Sequence, residues 1–213
     1  MGTIEALSLA MGTAWTSGIN LYATVAALGI ASRAEMIQLP PDLQVLGHPA
    51  VIAVACIMYL IEFFADKVPY VDSGWDVLHT FIRVPAGAIL AARSLGDMNP
   101  ALELVAILAG GSIALAAHGT KTATRLAINA SPEPFSNWIA SVTEDITVFG
   151  SLWLMFNHPI VMIILVLGFF ALLVWILPKI FRLAKRGFQA LRNKLRGVKP
   201  DQPTPSDPTA LPT

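Results

Sequence analysis

Of 213 residues, 55% are hydrophobic and only 13% are charged, with a mean hydropathy of +0.64. An average soluble domain carries about 25% charged residues, so this chain cannot cover its own surface in water. That excludes a soluble enzyme and a disordered chain, and a single cysteine, Cys56, excludes a secreted disulfide scaffold. The formal net charge of zero hides an asymmetry: from Lys179 onward eight basic residues face two acids, and the rest of the chain is acidic in balance.

The apolar residues stand in long runs, and a membrane span needs about 20 of them. Six candidate spans follow in chain order: 6–32, 49–65, 77–92, 100–118, 135–156 and 159–178. The first holds no charge and is too long for a cleaved leader, which Glu5 also argues against. The second and sixth each start at a His-Pro pair, His48-Pro49 and His158-Pro159, with proline at a favoured first helical position. The third is interrupted by His79, Arg83 and Pro85, and the fifth carries Glu144 and Asp145 at its middle; each either crosses or re-enters. The fold class is therefore all-α, a polytopic bundle of six transmembrane helices over residues 1–178. A weak echo between GHPAVIAV and NHPIVMII, and between SGINLYATVAAL and HGTKTATRLAI, fits a 3+3 inverted repeat.

Residues 179–199 read as a basic amphipathic helix on the membrane surface, a partner for anionic lipid, and 200–213 as a disordered Pro/Thr/Ser-rich tail. Six crossings place Lys67, Lys121, Arg125 and the basic tail on one side, leaving only Arg33 and Arg93 on the other. By the positive-inside rule both termini are expected in the cytoplasm, and the basic tail follows a span rather than a nucleic-acid reading module.

The informative residues are the charges inside the apolar helices, each of which costs about 2.5–3.5 kcal/mol at mid-helix. Glu62 and Asp66 end the second span; Asp72, Asp76, His79 and Arg83 follow at helical spacing, with Lys67 at the turn. His118, Lys121 and Arg125 form a stripe on the fourth helix, and Asn137, Ser141, Glu144 and Asp145 follow on the fifth. The near balance of signs points to mutual pairing between the acidic hairpin and the basic stripe. Gly12, Gly18, Gly110, Gly111 and Gly119 read as close helix-packing positions, and Trp15, Trp138, Trp153 and Trp175 as interfacial or packing aromatics. HExxH, GxSxG, P-loop and paired CxxC motifs are all absent from the sequence, so no cofactor or metal is expected.

The segments DKVPYVDSGWDVLHTFIRVPAGA and HGTKTATRLAINASPEPFSNWIASVTED resemble a bacterial multi-pass membrane family, domain of unknown function 4126. The resemblance covers about residues 5–178 and implies a bacterial cytoplasmic-membrane protein, with no activity attached. It points to Asp66, Lys67, Pro69, Asp72, His79, Arg83, Gly87, Lys121, Arg125, Asn129, Pro132, Glu133, Asn137, Glu144 and Asp145.

Three functions compete. The leading one is a small transporter or channel for an ion, proton or polar solute, with Glu144 and Asp145 as its carboxylates. Lys121, Arg125 and Arg83 are then their counter-charges, and Asp66 and Asp72 the cytoplasmic mouth. The second is a membrane enzyme acting on a lipid or isoprenoid phosphate, with the phosphate on the bases and Mg²⁺ on Asp66, Asp72 and Asp76. The third is a non-catalytic scaffold, with the charges as an internal lock.

Overall fold

The computed structural model describes residues 1–130 and 134–195. Pro132, Glu133 and the stretch 200–213 lie outside the described residues, as does the end of the expected surface helix, 196–199. The described chain is all-helical: α1 (Thr3–Arg33), a 3-10 helix (Pro41–Gly47), α2 (Pro49–Ala65), α3 (Val71–Ser94), α4 (Pro100–Asn129), α5 (Pro134–Asn157) and α6 (Pro159–Leu195). Starts follow local chemistry. Proline stands at the first turn of α2 and of α4; the His48 ring caps Ala50 N–H, and the Asn99 amide oxygen caps Leu102 N–H.

Two compact units divide the chain, Met1–Leu167 and Gly168–Thr213. The first is inside-out by the standards of a soluble protein. Arg83 and Arg125 are fully buried, while Phe81 is 81% and Leu78 67% exposed. Large apolar side chains also cover the outer faces of α2, α4 and α5, among them Phe64, Leu108 and Ile146. In water this arrangement would be untenable; in hydrocarbon it is the stable one.

Among the described residues three helices are each long and apolar enough to cross a membrane, namely Pro100–Asn129, Phe135–Asn157 and Pro159–Arg182; the 3-10 helix with α2, bent by 65°, makes a fourth candidate. Six such spans are expected from sequence, and the two that fall short have physical reasons. In α3 the first half carries Asp72, Asp76 and Arg83. The run 6–32 forms a helix broken at Asn20, whose φ of −147° and ψ of 98° are extended, and α1 is buried on nearly all sides.

That break turns α1 back on itself. Its first half runs antiparallel to α3: Thr13 Oγ1 lies 3.5 Å from Ser94 Oγ, and Ala10 and Ala14 pack on Ala91. Tyr22 reaches His79, the deepest point. The second half then returns, with Gly29 against Leu46 and Ile52, and Ser32 against Gly47. Met1, Glu5 and Gln38 line one cavity of about 200 Å³, so both ends of α1 lie at the upper end of the first unit. The α2–α3 turn marks the lower end.

Small residues make the close packing possible. A Cβ at Gly18 would meet the Ala117 Cβ at 2.8 Å, and one at Gly87 would meet the Ala114 Cβ at 2.6 Å. Gly12 and Gly110 are equally crowded, whereas Gly119 has nothing within 4 Å and is an exposed position, not a packing one.

In the second unit, α6 continues helical through Pro178 to Leu195 rather than starting a separate helix there. The Lys179 ammonium stands 2.9 Å from the Trp175 ring centre, and Arg182 Nε donates to the Pro178 carbonyl at 3.2 Å. Leu172, Val174, Trp175 and Phe181 are exposed, an apolar surface suited to lipid.

Candidate functional site

Four helices of the first unit bring their charges to one place in its lower half. Helical spacing puts Glu62 and Asp66 on one face of α2, and Asp72, Asp76, His79 and Arg83 on one face of α3. The same spacing lines up His118, Lys121, Arg125 and Asn129 on α4. Nine ion pairs within 4.0 Å join these residues to each other and to Glu144 of α5.

Arg83 is the innermost base. Its Nη2 donates to Glu62 Oε1 at 2.7 Å, and its Nη1 donates to Asp76 Oδ1 at 3.0 Å and to His118 Nδ1 at 3.2 Å. Lys121 takes the centre, 2.9 Å from Asp66 Oδ2, 3.3 Å from Glu144 Oε2, 3.4 Å from Glu62 Oε1 and 3.7 Å from Asp76 Oδ1. Arg125 grips Glu144 with two parallel bonds, from Nε at 3.0 Å and Nη2 at 2.7 Å. Such a bidentate pair is the most directional form of this interaction. Its Nη1 also donates to the carbonyls of Asp66, at 2.9 Å, and Asn137, at 3.1 Å.

Amides close the lower end. Asn129 Nδ2 donates to Asp72 Oδ1 at 2.8 Å and to Ser73 Oγ at 2.9 Å, and Asn137 Nδ2 donates to Asn129 Oδ1 at 2.9 Å. The two histidines tie the network to its neighbours. His118 Nε2 lies 3.1 Å from the Asp76 carbonyl, and His79 stacks on Trp75 while its Nε2 lies 3.1 Å from the Tyr22 hydroxyl. Through Tyr22, the tip of the folded-back α1 touches the site.

Asp145 and Lys67 stand apart. Asp145 forms none of the nine pairs; its hydrogen bond is to Tyr59, and Lys67 is the base that acts on it most strongly. Lys67 Nζ donates to the Phe63 carbonyl at 3.0 Å and to Ser141 Oγ at 3.2 Å, and sits over the Phe63 ring. Burial holds its ammonium below the ordinary lysine range, against the pull of Asp145 and Asp66. The expectation that Glu144 and Asp145 act as one carboxylate pair therefore separates: adjacent residues on a helix point about 100° apart, and only Glu144 faces the bases.

Several participants escaped sequence reasoning. Tyr22, Ser73 and Thr80, whose Oγ1 lies 2.7 Å from His118 Nε2, have no charge to betray them, and Asn20 lies inside an apolar run. Asn129, to which the resemblance already points, is one helical turn beyond Arg125, a spacing that extends the basic stripe. A pocket for phosphate on the bases finds them already occupied: Arg83, Lys121 and Arg125 are each paired with at least two carboxylates. Among the described residues no group of three or more His, Cys, Asp or Glu side chains is arranged to hold a metal ion.

The profile of the family described as domain of unknown function (DUF4126) matches residues 7–179, which takes in every residue of this network. The chain belongs to that family. No curated protein and no solved structure matches it. As a DUF4126 protein it has a family whose description states no activity, and the apolar helices make it compatible with a membrane protein.

Proposed function

We propose that this is a multi-pass protein of the bacterial cytoplasmic membrane that moves an ion, proton or small polar solute through its first unit. The observation that carries this reading is the buried network itself: three bases and five acids, from four helices, linked by nine pairs inside an apolar bundle. Ionisable groups at that depth mark a pathway more often than a support, because burying two charges costs about as much as their attraction returns. A helix broken beside the network adds support, since interrupted backbone inside a bundle is tolerated where it meets protein or lines a polar cavity.

In this reading Arg83, Lys121 and Arg125 are counter-charges that hold Glu62, Asp66, Asp76 and Glu144 closed. Arrival of the transported species displaces one pair and opens the path. The lower end, at Asp72 and the α2–α3 turn, is the cytoplasmic mouth, in keeping with the basic residues there. Tight Gly and Ala packing above the network closes the upper half, so passage requires the α1 hairpin to shift.

A second reading, an internal ionic lock in a membrane scaffold, draws on the same closure, because each of the three bases is paired with acids of its own chain. Reconstitution into liposomes separates the two. A transporter carries solute or ion flux that falls when Glu62 and Asp76 are neutralised together; a scaffold carries none with the network intact. The inner-membrane location is tested by fractionation.

A further inference from the structure

We infer that the species this network takes up and releases is the proton, two per chain, held among Glu62, Asp72 and Asp76. The inference rests on the transport reading for its functional sense and names what the pathway carries.

Five acids, Glu62, Asp66, Asp72, Asp76 and Glu144, face three bases, Arg83, Lys121 and Arg125, which leaves an excess of two negative charges. Neither histidine corrects it. His118 Nδ1 lies 3.2 Å from Arg83 Nη1, which can only donate, so Nδ1 accepts and the ring is neutral with its hydrogen on Nε2. His79 spends its two ring nitrogens on the Trp75 carbonyl, at 2.8 Å, and the Tyr22 hydroxyl, at 3.1 Å, and pairs with none of the five acids. From α1 the network meets the Tyr22 hydroxyl and the Gly18 backbone, which add no charge. Beside it, Lys67 and Asp145 offset each other. The excess is therefore real within this set of groups.

Three of the carboxylates spend one oxygen on the bases: Glu62 Oε1, Asp76 Oδ1 and Asp66 Oδ2. Asp72 spends Oδ1 on Asn129. Their other oxygens, Glu62 Oε2, Asp76 Oδ2, Asp66 Oδ1 and Asp72 Oδ2, are buried and find no hydrogen-bond donor in the protein. Glu144 differs, with both oxygens on Arg125, and is the fixed anion of the set.

An uncompensated carboxylate in apolar surroundings neutralises by accepting a proton. A proton on a bare oxygen converts the carboxylate to a carboxylic acid, removes one charge and so loosens that group's ion pair while leaving the hydrogen bond on its other oxygen in place. A metal cation would need several of these oxygens to converge on one point, and no such arrangement of three or more side chains exists among the described residues.

The test uses the full chain in phosphatidylethanolamine–phosphatidylglycerol liposomes. Infrared spectra at neutral pH, in H₂O and D₂O, read the carbonyl stretch of protonated carboxylic acids. We expect a band equivalent to two acids that shifts in D₂O and is reduced in Asp76→Asn. Its absence from the unaltered protein overturns the inference, with no variant needed. In parallel, a potassium diffusion potential set with valinomycin drives flux, read by a trapped pH dye. Proton flux that is lost in the Glu62→Gln/Asp76→Asn double variant supports the inference. Flux of sodium or another solute without pH change overturns it and leaves the transport reading standing. The band without flux of any kind supports two-proton occupancy and removes the transport reading.

Discussion

Glu62 and Arg83 meet at 2.7 Å between α2 and α3, and neither side chain exposes any surface. Because the network around them holds more acid than base, the two partners are not equivalent. Glu62→Gln removes a negative charge from an excess; Arg83→Met adds to it and leaves both Glu62 and Asp76 without their shortest partner. Breaking a buried pair from one side costs about 3–5 kcal/mol. We expect Arg83→Met to fall in or beyond that range and Glu62→Gln well below it. Thermal unfolding of the purified protein in detergent gives the order, and equal losses would contradict a net-negative network.

At Asn20 the backbone is extended and the side-chain Oδ1 accepts the Ala23 N–H at 2.9 Å, which caps the returning half of α1. Removing such a cap costs about 0.5–2 kcal/mol. Asn20→Leu should lose that amount and favour a continuous helix, so its effect should exceed that of Thr24→Val, whose hydroxyl bonds only within the helix, to the Asn20 carbonyl at 2.8 Å. Chemical denaturation of both variants in mixed micelles checks the difference.

Much of this architecture is legible from residue spacing, and the rest is not for reasons that can be named. Asp72, Asp76, His79 and Arg83 declare one helix face by intervals of four, three and four, and charges buried that deeply have few partners but each other. Which acid meets which base depends on how four helices sit side by side, and no local pattern encodes that. The pair Glu144-Asp145 looks like one feature in sequence and is two in space. The hardest element to read is α1. Its run without charge suggests a span, and the single amide of Asn20 gives little warning that the helix reverses there. Its abundance of Gly, Ala, Ser and Thr is the better clue, since small side chains on all faces belong to a helix surrounded by protein rather than lipid.

Glycines separate by what surrounds them. At Gly18 a methyl group would strike the Ala114 carbonyl and the Ala117 Cβ, backbone and short side chain that cannot move aside. Overpacking of this kind costs about 1–3 kcal/mol, so Gly18→Ala and Gly87→Ala are expected to destabilise by that much. At Gly74 and Gly150, both helical, nothing lies within 4 Å of the added carbon. Alanine there should be neutral or stabilise by up to about 1 kcal/mol through helix propensity. Tm shifts of opposite sign in the two sets would establish the crowded seam.

The folded-back α1 also has a consequence for topology. Met1 and Glu5 share a cavity with Gln38, at the end opposite the α2–α3 turn that carries Lys67 and Tyr70. A first helix that crossed would put Met1 and that turn on the same side of the membrane, as six crossings require. A hairpin puts them on opposite sides, and the positive-inside rule then places Lys67 inside and Met1 outside. In a Cys56→Ala background, Thr3→Cys and Tyr70→Cys report the two ends with a membrane-impermeant thiol reagent. We expect Thr3→Cys to be labelled in intact cells and Tyr70→Cys only after permeabilisation. Labelling of both, or of neither, before permeabilisation would mean that α1 crosses.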